Sequence, residues 1–209
     1  MINEAYSTTN DIQTIRLRHW SHSHARRLNE YVDANHISRK SMPYFEPLDG
    51  GIEARVLILL ESPTRSDPYP RFASRDNRSP TQVNLKQCVD QSALPRKDSV
   101  LWNAYPWLPD EFSAHRALPI ASTTKGMQAL PGVLKMLPNL EVPVLTGSLA
   151  RHASSVIRRY ISCIAIIETF YPIPKSLNAD KSRRDHIIDA LKSAKLLLDT
   201  ADKRSRIDY

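Results

Sequence analysis

The chain has 209 residues, 29 of them Lys or Arg and 22 Asp or Glu, and 41% are hydrophobic. That is apolar enough for one domain-sized core and too apolar for wholesale disorder, while no apolar run approaches the roughly 20 residues that span a bilayer. Cys88 and Cys163 are the only cysteines, too few for a four-cysteine zinc or iron–sulfur site and better suited to a reducing compartment than to a disulfide scaffold. The opening stretch from Met1 to Asp11 is polar and shows no secretory pattern, so the expectation is a soluble, cytoplasmic protein without a membrane segment.

In chain order, Ile12, Ile15, Leu17, Trp20, Leu28, Tyr31 and Val32 recur at helical spacing, predicting one or two amphipathic helices between Asp11 and Arg39. Pro43, Pro47 and Asp49-Gly50-Gly51 break that pattern. Ala54 to Leu60 then reads as a strand buried on both faces, as in a parallel sheet. A proline-containing polar segment leads to a helix over Thr81 to Gln91 and a second strand, Ser99 to Asn103. Gly126 to Leu137 predicts a helix, Val142 to Thr146 a third strand, and Gly147 to Ile161 a helix opened by a small-residue turn. Cys163 to Glu168 is the fourth expected strand, and Asp185 to Thr200 an amphipathic helix with Ile187, Ile188, Leu191, Ala194, Leu197 and Leu198 on one side. Short apolar strands alternating with helices predict an α/β fold: a three-layer α/β/α sandwich around a four-stranded parallel sheet. The expected division is an N-terminal helical extension over residues 1–45 and the α/β domain over 46–209.

Charge is uneven along the chain. Residues 1–50 hold six basic and six acidic groups, residues 51–150 eleven and nine, and residues 151–209 twelve and seven. A basic excess in the last segment suits a polyanion partner, because each neutralised phosphate releases counterions. In parallel sheets ligands sit beyond the carboxyl ends of the strands. The expectation is therefore a rim built from Glu61 to Arg65, Asn103 to Trp107, Thr146 to Ser148 and Thr169 to Asn178. Glu61 and Asp76 supply carboxylates, Phe72 an aromatic face, and Asn103 an amide able to read a planar ligand edge. The last loop, Phe170-Tyr171-Pro172-Ile173-Pro174-Lys175-Ser176-Leu177-Asn178, is stiffened by alternating prolines. With Lys181, Arg183 and Arg184 close behind, it offers phosphate contacts.

These landmarks, in this order over roughly residues 45–200, resemble the uracil-DNA glycosylase superfamily. Its first motif, Gly-Glu-Ala-Pro-Gly after a strand, is matched by Glu61 and Pro63, with Leu60, Ser62 and Thr64 at its other positions. Phe72 falls where the family has a base-stacking aromatic and Asn103 where it has the base-reading Asn. Of the late His-Pro-Ser-Pro-x-Ser loop, Pro172, Pro174 and Ser176 match, Tyr171 replaces His, and Ile173 replaces the first Ser. The cysteines of the iron–sulfur branches are absent.

The resemblance implies a cofactor-free, metal-free, monomeric DNA glycosylase acting on a flipped-out base, a chemistry with possible places in base-excision repair and antiviral defence. Cleavage of an N-glycosidic bond builds positive charge on the sugar and negative charge on the leaving base. Glu61 or Asp76 would stabilise the first charge and orient water, with Glu61 ahead because it follows the strand directly. Asn77, Tyr171 and backbone N–H groups of residues 62 to 64 would serve the second. Tyr171 can donate a hydrogen bond there but, unlike His, cannot become a cation. Phe72, Asn103, Ser62 and Asn77 would bind the base; Lys175, Ser176, Leu177, Asn178, Arg183 and Arg184 would grip DNA, with Leu177 or Lys175 near the wedge position. Family members often exclude thymine with a first-motif Tyr, where this chain has the smaller Ser62 and Thr64. The implied substrate is uracil or a C5-modified cytosine of phage DNA.

A catalytically silent nucleic-acid binder of the same fold is the alternative. A flavodoxin-like nucleotide binder fits less well, because no Gly-rich loop follows the first strand and the chain has only five glycines. His19, His22 and His24 near Arg26 and Arg27 read as a solvated helix face.

Overall fold

The computed structural model describes residues 12–20, 22–35, 42–64, 69–108 and 120–207. Two helices open it: α1 over 12–19 and α2 at Ser23–Asn35. Then come β1 (Tyr44–Phe45), β2 (Val56–Leu60), β3 (Phe72–Ala73), α3 (Pro80–Ser92) and β4 (Ser99–Asn103). The second half contains α4 (Ile120–Leu134), β5 (Val142–Thr146), α5 (Ser148–Arg151), α6 (Ala153–Tyr160), β6 (Ile167–Thr169), α7 (Pro174–Ala179) and α8 (Ser182–Ile207). Among the described residues no helix is long and apolar enough to cross a membrane.

The architecture is mixed α/β. Four strands form a parallel sheet in the order β4-β2-β5-β6, and β1 pairs with β3 in a separate parallel pair. β2 lies centrally, with Leu60 opposite Asn103 on one side and Leu59 opposite Leu145 on the other. Every residue of β2, β4 and β5 is buried, which explains why these strands read as continuous apolar runs rather than alternating ones.

Alternate residues of β2 enter two hydrophobic clusters. Leu57 and Leu59 pack with Leu28 and Val32 of α2, Leu130 and Val133 of α4, and Ile157 of α6. Val56, Ile58 and Leu60 pack with Leu85 and Val89 of α3 and Ile187 and Leu191 of α8. Each such fully buried aliphatic contributes ~1.5–3 kcal/mol. Helix α2 therefore belongs to the core beneath the sheet, although residues 1–45 read as an extension in sequence.

Several elements differ from the sequence-based expectation: β1, β3 and α7 are additional, and α8 runs Ser182–Ile207 rather than Asp185 to Thr200. The fourth strand begins at Ile167 rather than Cys163, because Cys163 adopts the left-handed conformation (φ 61°) and turns the chain before the strand. The helix expected over Gly147 to Ile161 is two pieces meeting at His152. Helix α4 begins at Ile120, ahead of the expected Gly126, and continues through Pro131. It docks through two glycines: a Cβ on Gly126 would collide with the Ala104 carbonyl, and one on Gly132 would lie 2.6 Å from Cε2 of Tyr31.

The polar N-terminal residues serve structure. Arg16 of α1 is buried against Glu46 (Nε to Oε2, 2.8 Å). Arg96 reaches Asp49 at 2.9 Å and Asp76 at 2.7 Å, while Arg75 lies 3.4 Å from Asp49 and donates to Ser99 Oγ at 2.7 Å. This network ties α1, the segment after β1 and the turn after β3 to the start of β4.

Candidate active site

From β2 the chain passes to β4 on one side, and from β5 to β6 on the other. The carboxyl ends of β2 and β5 form the topological switch point, the place where open parallel sheets bind ligands. Glu61 stands there. The β2/β4 ladder continues past the strand ends, with Ala104 N–H donating to Leu60 O at 2.7 Å and Tyr105 N–H to Glu61 O at 2.9 Å. The backbone of Glu61 is thereby pinned beside β4. Its carboxylate turns toward β5, where Oε1 accepts from Leu149 N–H at 3.2 Å and Ser148 Oγ–H at 3.4 Å.

Gly147 makes that approach possible. Its φ is 88°, and a Cβ there would collide with Glu61 Oε1 and sit 2.9 Å from Tyr171 Cβ. Its N–H donates to Thr169 O at 3.0 Å, extending the β5/β6 pairing. Glu61, Gly147 and Tyr171 thus meet on one rim. Burial, and then the Glu61 charge, push the Tyr171 hydroxyl well above its ordinary value of 10.0. The phenol stays protonated and remains a donor. Asn103 ends β4 on the same rim and is 3% exposed. Among the described residues no hydrogen bond engages its amide, which is not among the buried polar atoms left without a partner; its donor and its acceptor are both available to a ligand. Ser62, next to Glu61, is half-buried.

The remaining expected site residues lie elsewhere or are already engaged. Asp76 pairs with Arg96, three residues before the start of β4, and its neighbour Arg75 contacts the first residue of β4. Glu61 follows the last residue of β2, level with the last of β4. The two carboxylates thus lie toward opposite ends of strands ~13 Å long, and the structure does not bring them to one rim. Phe72 is 2% exposed, with the Arg16 guanidinium 5.2 Å from its ring centre and the Tyr44 ring at 6.0 Å. Asn77 is also engaged: its Nδ2 donates to Phe72 O at 2.8 Å, and its Oδ1 accepts from Arg16 Nη2 at 3.2 Å.

The last loop winds into the short helix α7, with Pro174 at its first turn. Leu177 is 4% exposed and packs in the cluster shared by α3 and α8, so the expectation of a wedge there is corrected: its side chain is committed to the core. Arg184 donates to Gln87 Oε1 and Asn84 Oδ1 of α3, at 2.8 and 3.0 Å. Arg183 donates to Ser176 Oγ at 2.8 Å and stacks on Phe170 at 5.1 Å. Lys175, Asn178 and Lys181 are exposed. A groove of ≈ 550 Å³ runs past Asn178, Lys181, Arg184 and Asp185.

The role of Gly147-Ser148-Leu149 in holding Glu61 was not legible in the sequence, where the signal was only a small-residue turn after a strand. The same holds for His186 of α8, whose Nδ1 lies 3.2 Å from Thr169 Oγ1 and whose ring meets Phe170 edge-on at 5.1 Å. No protein-family model matches the chain, and no curated protein matches it.

Proposed function

We propose that the protein is a monofunctional DNA glycosylase of the uracil-DNA glycosylase type, built as an α/β/α sandwich and acting as a cytoplasmic monomer. Its substrate is a flipped-out pyrimidine, either a C5-modified cytosine of phage DNA or uracil. The observation that carries the reading is the meeting of Glu61, a protonated Tyr171 and an unengaged Asn103 amide at the switch point of the sheet. Glu61 orients water toward the sugar C1′ and stabilises its positive charge. The N-glycosidic bond breaks, the water oxygen bonds to C1′, and the base departs with the electron pair and takes a proton. Asn103 pairs with the base edge, and Tyr171 donates to the developing anion. Asp76, paired with Arg96, has a structural role in this scheme. Lys175, Asn178 and Lys181 meet the phosphates.

The test is a base-release screen over oligonucleotides bearing uracil, hydroxymethylcytosine or glucosylated hydroxymethylcytosine. The expected result is abasic-site formation on at least one of them, with Glu61→Gln slower by about 10²–10⁴-fold and Asp76→Asn near wild type at equal folded concentration. The burial of Phe72 under Arg16 favours the second reading, a nucleic-acid binder without catalysis. DNA binding with no base release by any form would select it.

A further inference from the structure

At the opposite end of the sheet from Glu61, helices α4 and α6 run toward the amino ends of β5 and β6 and close with Lys135, Arg158, Arg159 and Tyr160. The Lys135 ammonium lies 6.0 Å from the centre of the Tyr160 ring, and that ring is 45% exposed. Arg158 and Arg159 are exposed on α6. Among the described residues none of these three cations has an ion-pair partner. The two acidic residues nearest in sequence are engaged elsewhere, Glu168 with Arg151 at 3.5 Å and Glu141 with Arg55 at 2.6 Å. Nor does burial explain the cations, since the inward side of α6 consists of Ala153 and Ile157.

We propose that Lys135, Arg158, Arg159 and Tyr160 form a second nucleic-acid contact surface, separate from the carboxyl rim, which holds the phosphate backbone of the same DNA some distance from the target base. The choice of DNA as the polyanion rests on the glycosylase reading; the surface itself rests on the unpaired cations. Two adjacent arginines and a lysine offer donors to successive phosphates, and an exposed aromatic beside them suits a base or sugar face. An anionic lipid surface attracts the same cations, but helices that lie on membranes insert an apolar stripe, and the apolar residues of α6 already face the core. Helices α5 and α6 meet at His152, so at 1.5 Å per residue Ser148 to Arg159 spans at most roughly 16 Å, or about five base pairs at 3.4 Å each. A strand leaving the carboxyl rim reaches this surface within half a helical turn.

The test compares two charge-swapped proteins of equal net charge, Lys135→Glu/Arg158→Glu/Arg159→Glu and Lys192→Glu/Lys203→Glu/Arg204→Glu, the latter on α8. Binding to a labelled duplex of about 30 base pairs without modified bases is measured by anisotropy from about 50 mM salt upward. The first protein is expected to bind at least about tenfold more weakly than wild type, with a salt slope shallower by about 2–3, while the second loses less than about threefold. The milder Arg158→Gln/Arg159→Gln protein is expected to lose about threefold or more, which keeps the comparison decisive should the triple swap misfold. Equal losses in the two swapped proteins, an unchanged first protein, or no DNA binding by wild type would each overturn the proposal. So would loss of binding to phosphatidylserine vesicles by a first protein that retains DNA. Base release, scored separately on the same proteins, tests the glycosylase reading alone, since its absence leaves the binding comparison intact.

Discussion

Two groups of carboxylates in this molecule make an instructive contrast. Beside the start of β4, Glu46, Asp49 and Asp76 are held by Arg16, Arg75 and Arg96 in a largely buried network. At the other end of the sheet Glu61 meets no arginine among the described residues; it accepts from one backbone N–H and one hydroxyl. A carboxylate surrounded by guanidinium groups sits in ion pairs that fasten segments together, although Asp49 and Asp76 keep buried oxygens that accept no hydrogen bond. The one held by neutral donors stands at the switch point of the sheet with no guanidinium beside it among the described residues, which is what the proposed role at a ligand requires. The surroundings of each carboxylate, more than its place in the sequence, separate the two roles.

Removing a guanidinium should break the contrast most severely. Arg16→Ala leaves Glu46 buried without its closest partner and is expected to lower unfolding free energy by ~3–5 kcal/mol, measured by urea denaturation. Glu61→Gln should cost under about 1 kcal/mol in the same measurement, as neutral hydrogen bonds imply. If both cost the same, the distinction fails.

The next effect appears in the pH dependence of stability. Burial, outweighing the pull of Arg75 and Arg96, raises the Asp49 carboxyl from 3.8 to about 6, with Glu46 and Asp76 adding to the rise. Between those values the folded protein holds a proton that the unfolded chain has released, so this group's contribution to stability is fully present below 3.8 and is lost as pH rises to about 6. The stability of wild type relative to Asp49→Asn should accordingly fall over that window, by roughly 3 kcal/mol at most, and stay flat above it. A relative stability that rises with pH would mean the arginines dominate.

The smallest expected effect sharpens the other side. Gly147→Ala requires a side chain at φ 88° and places its Cβ against Glu61. It should destabilise by ~1–3 kcal/mol and displace the carboxylate; under the proposed glycosylase reading it should also slow base release more than the stability loss accounts for. A variant with normal turnover would show that Gly147 serves folding alone.

Much of the sheet was legible in the sequence because its strands are buried on both faces and carry unbroken apolar runs. Ser99–Asn103 and Val142–Thr146 have the expected bounds. Cys163 to Ile166 looked equally apolar, but a left-handed turn is set by tertiary packing rather than by composition. The two-residue strands β1 and β3 are too short for any periodicity. For the rim, the placement of Glu61, Asn103 and Tyr171 was readable because they lie at or just beyond strand ends. Asp76, Phe72 and Leu177 were not, because what decides their roles is the arrival of Arg96, Arg16 and α8, all distant in sequence.

The two glycine contacts of α4 bear on how this fold can vary. Gly126 admits the Ala104 carbonyl and Gly132 the Tyr31 ring, so the helix is keyed at two points against two different elements. Sliding it by one turn would drive the side chain of Ala129 or Leu130 into a space that only hydrogen fills. Helix α4 therefore cannot ratchet along the sheet as packed helices sometimes do. Its two ends, one beside the Asn103 rim and the other bearing Lys135, are locked at a constant separation, like marks on a ruler.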